Sequence, residues 1–272
     1  MDLPLPVEPL DPQAQARADR RRFWFALLTS AAFVAVLWWV RMLEVWLNQP
    51  LGALGVRPGE VSGLIGLIAA PLIHGSTQHL VANSLPLLVL GTLSLAVYPR
   101  AAWRAIGWIW LLSGLGIWLF GRPSSHIGAS GLSHGLMFLL FALGLLRRDR
   151  PAIAAALIAF FLYGGMLLTV LPGDPEVSWE AHLFGALAGV LAALLWHRRD
   201  PAPGRKRYSW EDENEDDALH SGLQHDERGM FEPPSPPAVP VLWQRPDPVA
   251  EPHGVVLPFR PRPRESEAPT AD

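Results

Sequence analysis

Between Phe23 and Trp196 the chain is a succession of long apolar runs separated by short polar stretches, and neither end of the sequence continues that pattern. Six runs stand out: Phe23–Val40, about His79–Val97, Trp103–Phe120, Ser130–Leu146, Ala152–Leu171 and Ala181–Trp196. Each holds roughly 16–20 residues, near the ~20 that a helix needs to cross ~30 Å of hydrocarbon. The shorter ones need neighbours to shield their ends. None alternates with period two, and all are rich in Leu and Ala, which argues against strands. Lipid also requires backbone polar groups to pair within a segment, which favours helices. The pattern predicts an all-α membrane protein, a six-transmembrane-helix bundle over residues 23–199, with an N-terminal segment at 1–22 and a tail at 200–272. The stretch Arg41–Gln78 is too long for a simple turn and predicts a substantial first loop.

Charge gives the bundle an orientation. One set of span ends carries fourteen basic residues, at 17, 20, 21, 22, 100, 104, 147, 148, 150, 198, 199, 205, 206 and 207. The other set carries three, Arg41, Arg57 and Arg122. The two sets alternate correctly for six crossings, and the positive-inside rule places both termini in the cytoplasm. The first run ends in Trp38-Trp39-Val40-Arg41 and not in small residues, so it does not read as a cleavable signal.

Composition adds exclusions. Only 17% of the 272 residues are charged, against about a quarter in soluble domains. Cysteine is absent, which rules out disulfides, thiol catalysis and thiolate metal sites. A net charge of -3 gives no reason to expect a nucleic-acid partner. The tail holds 14 of the 27 prolines and the acidic run Glu211–Asp217, a composition that reads as disordered. Its Pro-rich stretches suit a cytoplasmic partner that reads polyproline, or serve only as a solubilising tail. A single Lys among 22 basic residues and the plain six-span core point to a bacterial inner membrane.

Polar side chains at membrane depth are costly and are functional candidates by default. His79 and Asn83, four apart, share one face of the second span, with His74 just before it. Gly128-Ala129-Ser130-Gly131 opens the fourth span, where free helix N-terminal N–H groups suit a developing oxyanion. Alternatively, Ser130 is an N-cap and the glycines only permit packing. Ala181-His182 opens the sixth span just after Glu180, with Gly185 and Gly189 making a small-xxx-small face that brings another helix close. His126 precedes Ser130, and His134 lies one turn after it. Interhelical hydrogen bonding competes with function for His74, His79 and Asn83, and for His182 the competing reading is an interfacial histidine beside packing glycines. A metal site is disfavoured, since no carboxylate accompanies the histidines within the spans and no His-Glu-x-x-His helix occurs.

Together, His-x4-His-x3-Asn, Gly-Ala-Ser-Gly and Ala-His-x2-Gly-x3-Gly, in this order on the second, fourth and sixth spans, resemble the rhomboid intramembrane serine proteases. The resemblance covers roughly residues 23–199. It implies a nucleophile at Ser130, a general base at His182, and oxyanion stabilisation by His79 and Asn83 with the Ser130 N–H. It implies that Gly128 leaves room for the substrate carbonyl, and that His74, Gly131, His134, Gly185 and Gly189 are structural near the site. The implied substrate is a transmembrane protein, within membrane lipid and without a cofactor. The loop Pro172–Trp179 would cap the site and the fifth span would be its gate. Two departures stand out. His134 occupies the position where many rhomboids carry an aromatic residue stacked on the catalytic histidine, and the first loop has no clear Trp-Arg pair. Two other readings remain at this point: an inactive rhomboid-like scaffold that binds transmembrane helices, and a small transporter with His79, His134 and His182 as a proton relay.

Overall fold

The computed structural model describes residues 12–174 and 177–201. Six long helices account for the six apolar runs: α1 (Pro12–Leu47), α2 (Thr77–Val97), α3 (Pro99–Phe120), α4 (Ser130–Arg147), α5 (Arg150–Tyr163) and α6 (Trp179–Trp196). The α5 span continues as a 3-10 segment, Gly164–Val170, so that Arg150–Val170 together are long enough to cross. All six are long and apolar enough to cross a membrane.

The bundle is arranged as lipid demands. Large apolar side chains such as Phe25, Leu28, Trp39, Leu85, Phe161 and Leu195 are exposed on the outside. Small and polar groups, including Ser113, Ser133, His134 and His182, are buried inside. Helices in lipid gain nothing from hiding Leu, so close packing and interhelical hydrogen bonds hold them together. Helix α4 is central, with 61% of its apolar window buried, whereas α1 and the α5 span are peripheral at 17% each.

Several boundaries differ from the sequence reading, α1 beginning at Pro12 and not at Phe23 and α3 at Pro99 and not at Trp103, and three of the differences have a local reason. Helix α1 continues past Arg41 to Leu47, because Arg41 pairs with Glu44 one turn on, at 2.8 Å. Glu44 also accepts from the Leu51 N–H at 2.9 Å, which closes the end of the helix. At 36 residues and about 1.5 Å each, α1 is roughly 54 Å long and exceeds the hydrocarbon thickness. The α5 span loses its α-helical geometry at Gly164-Gly165, and no residue of the 3-10 segment that follows is buried. Finally, Asp200, grouped by composition with the tail, is buried. It accepts from the Arg100 and Ala101 N–H groups at 2.9 Å each, capping the first turn of α3. Arg147 donates to the carbonyls of His197 and Asp200, at 2.8 Å each, and lies over the Tyr98 ring. Residues 1–11 and the tail from 202 onward, with its acidic and Pro-rich runs, lie outside the described residues.

The first loop is structured. It consists of the 3-10 turns Leu51–Leu54 and Val61–Ile65, a helical turn Gly66–Ala69 and a 3-10 turn Ala70–Leu72. Val56 and His126 exchange both backbone hydrogen bonds, at 2.9 Å each. The Gly128 N–H donates to Ala70 O at 2.9 Å. The loop therefore holds the turn that leads into Ser130.

Candidate active site

Helices α4 and α6 touch backbone to backbone. A Cβ built on Gly185 would collide with the carbonyl of Gly131, and one on Gly189 with the carbonyl of Gly135. This contact repeats one turn apart, so the two helices stay in register. Ser130 immediately precedes Gly131, and His182 lies three residues before Gly185. The close approach therefore puts the start of α4 beside the first turn of α6. Ser130 is the first residue of α4. The N-cap is Ala129, with no side-chain cap, so the reading of Ser130 as a capping residue does not hold. Its N–H is among the open donors of the helix's first turn.

The rings of His182 and His134 lie parallel, 3.8 Å between centroids and 11° between planes. The departure at His134 thus keeps the stacking geometry with an imidazole. His134 Nδ1 donates to the Ser130 carbonyl at 2.7 Å. His182 Nδ1 donates to the Thr169 carbonyl at 2.9 Å. A carbonyl only accepts, so the proton of each neutral ring sits on Nδ1 and Nε2 keeps its lone pair. For His182 that is the tautomer a general base requires. Among the described residues no hydrogen bond joins Ser130 Oγ to His182.

The second-span residues approach from the other side. Gly128 has φ +111°, a backbone conformation that favours glycine, and a Cβ there would stand 2.7 Å from His79 Nε2. His79 thus lies directly against the turn before Ser130. Asn83 is buried and gives one amide N–H to the His79 carbonyl at 3.0 Å, which leaves its second N–H for another acceptor. His74 sits behind this layer, buried, its Nε2 facing the Ala129 N–H at 3.4 Å, while its carbonyl accepts from Arg41 at 3.4 Å. Burial first, and then the neighbouring His79, push the His74 pKa down to about 4, so it stays neutral and an acceptor. Among the described residues no three His, Cys, Asp or Glu stand close enough to hold a metal ion.

Residues 61–199 match the Rhomboid domain family. The chain belongs to the rhomboid family. Rhomboids are generally intramembrane serine proteases, and this rhomboid is a multi-pass integral membrane protein. It is 42% identical over 208 residues to uncharacterized proteins of Mycobacterium tuberculosis and Mycobacterium bovis, covering 73% of this chain and 84% of theirs. An uncharacterized protein of Mycobacterium leprae is 37% identical over 213 residues, covering 74% of this chain and 82% of its own. No solved structure matches this rhomboid.

One feature of the site escapes a reading of motifs. Glu180, two residues before His182, is 1% exposed, and its carboxylate takes the Arg122 Nε at 2.7 Å and the Arg122 backbone N–H at 3.3 Å. Arg122 also donates to the Val177 carbonyl at 2.8 Å. Beside it, His126 and Ser178 hydrogen-bond at 2.6 Å. These bonds sew the loop before Ser130 to the start of α6, so the segments carrying Ser130 and His182 are tied twice. The sequence signal is a carboxylate beside His182 and an arginine in a loop that otherwise lacks basic residues. Removing one partner of a buried pair costs ~3–5 kcal/mol, and solvent at the half-exposed guanidinium lowers that. Glu180→Gln is expected to melt earlier than wild type. A thermal melt checks this, and a variant with unchanged melting would remove the clamp from the account.

Proposed function

We propose that this rhomboid hydrolyses a peptide bond in or near the transmembrane segment of a membrane-protein substrate, with Ser130 as nucleophile and His182 as general base. The observation that carries the reading is the His182 ring. Its Nδ1–H is committed to the Thr169 carbonyl, and its free Nε2 belongs to a helix packed backbone to backbone against the residue after Ser130. His182 Nε2 takes the Ser130 hydroxyl proton as Oγ attacks the substrate carbonyl. The tetrahedral oxyanion then faces the Ser130 N–H, His79 and Asn83. The imidazolium returns its proton to the leaving amine, and the acyl ester on Ser130 is hydrolysed by water that His182 deprotonates. The Ser130–His182 hydrogen bond forms when substrate enters, since catalytic hydrogen bonds are often long in the empty enzyme. No cofactor takes part.

The first turns of α2, α4 and α6 carry the site, on the side with few basic residues. With both termini cytoplasmic, the site opens toward the opposite face, where water reaches it, and a bacterial inner membrane suits this arrangement. The test is cleavage of a reporter transmembrane protein by the purified rhomboid in detergent, together with fluorophosphonate labelling mapped to Ser130. Cleavage with labelling is expected. A protein that neither cleaves nor labels fits an inactive helix-binding scaffold instead. Asn83→Ala is expected to lose ~10²–10³ in rate with little change in KM, as for other oxyanion donors. A loss confined to KM would remove Asn83 from that role.

A further inference from the structure

We propose that Thr169, at the end of the fifth span, is a positioning residue that holds both His182 and His134. This rests on the protease reading above. Thr169 makes two different bonds to the two stacked rings: its carbonyl takes the His182 Nδ1–H at 2.9 Å, and its Oγ1 meets His134 Nε2 at 2.8 Å. His134 Nδ1 is bonded to the Ser130 carbonyl at 2.7 Å. A closed circuit joins His134, Thr169 and His182, completed by the ring stack, and His134 ties it to the Ser130 carbonyl.

The proton inventory gives the hydroxyl a defined task. With His134 Nδ1–H given to Ser130 O, the neutral ring offers only a lone pair at Nε2. The single Thr169 O–H proton then goes to Nε2. The Met166 carbonyl, 3.0 Å from the same Oγ1, is its alternative acceptor. Choosing His134 pins the Thr169 backbone beside the rings, and that backbone carries the carbonyl that fixes the His182 tautomer. No acidic residue is needed for this role. The element supplying it is the 3-10 segment Gly164–Val170, which has no buried residue, whereas both histidines are buried. The base is therefore held by a segment in which no residue is buried.

The test compares steady-state cleavage of the reporter substrate by wild type, Thr169→Val, Thr169→Ser and His134→Phe, and by His134→Phe with Thr169→Val. Valine keeps the shape and the carbonyl but removes the hydroxyl. Thr169→Val is expected to lower kcat roughly tenfold, the scale of one lost hydrogen bond, with KM within about twofold. Thr169→Ser restores kcat to within about twofold of wild type. His134→Phe keeps a stacked ring without Nε2, so adding Thr169→Val to it changes kcat by less than about twofold. Fluorophosphonate labelling of Ser130 slows by the same factor as kcat, and Thr169→Ala repeats the loss should valine disturb the fold. Wild-type kcat in Thr169→Val, or an equal loss on the His134→Phe background, overturns the role of Thr169 and leaves the Ser130–His182 reading standing. A wild type that neither cleaves nor labels overturns both.

Discussion

Ser130→Ala and His182→Ala are each expected to abolish cleavage, by at least ~10⁴-fold, with the double variant no worse than either single one. Residues that act as one unit in nucleophilic catalysis are strongly non-additive, because losing either ends the same proton transfer. The two variants differ in stability, which separates chemistry from folding. Ser130 Oγ caps nothing and makes no hydrogen bond among the described residues, so alanine there leaves the melting temperature at the wild-type value. His182 is buried, stacked on His134 and bonded to the Thr169 carbonyl. Alanine there leaves that carbonyl without its donor and His134 without its stacking partner, so His182→Ala is expected to melt earlier than wild type. Equal loss of activity with unequal loss of stability is the signature. It is read from cleavage of the reporter substrate and thermal melts of the purified variants. Residual cleavage in Ser130→Ala at more than about a hundredth of the wild-type rate would require another nucleophile.

The span pattern was legible because a bilayer imposes a long, strong and local signal: runs of apolar residues with polar ends. It failed where a charge is neutralised by a partner. Arg41 reads as the end of a span until Glu44 lies one turn away in the same helix. Asp200 reads as tail until it meets the N–H groups of Arg100 and Ala101, a hundred residues earlier in sequence. The motif residues stand out because Ser, His and Asn are conspicuous among Leu and Ala. Glycine spacing also carries geometry, and Gly185 and Gly189 face Gly131 and Gly135 as the small-xxx-small spacing implies. Glu180 was visible but its role was not, since Arg122 lies 58 positions away. Thr169 gave the least warning. It meets His182 through a backbone carbonyl, which every residue possesses, and no side-chain type marks it. The place of His134 in the stack was open for the same reason: an imidazole stacks or hydrogen-bonds, and only the neighbouring acceptors decide that it does both.

Gly185→Ala is expected to lower cleavage by roughly 100-fold, and Gly185→Leu to prevent the bundle from assembling. At Gly185 the atoms facing an added Cβ are the carbonyl oxygen, carbonyl carbon and Cα of Gly131. These are backbone atoms of the central helix, and they cannot turn aside as a side-chain end would. A methyl group therefore forces α4 and α6 apart, at an overpacking cost of about 1–3 kcal/mol. A shift of ~1 Å in a catalytic group costs ~10² in rate, and His182 lies one turn from the point of contact. Gly189→Ala meets the same obstacle against Gly135, one turn farther from the site, and is expected to cost similar stability but less activity. Gly107→Ala on α3 is the control, because a Cβ there meets nothing within 4 Å. The graded order Gly185, Gly189, Gly107 in rate, with Gly185 and Gly189 alike in melting, would tie activity to the distance between two helices. If Gly185→Ala melts early yet keeps its kcat, the α4–α6 contact serves stability alone and His182 is held chiefly from the Thr169 side.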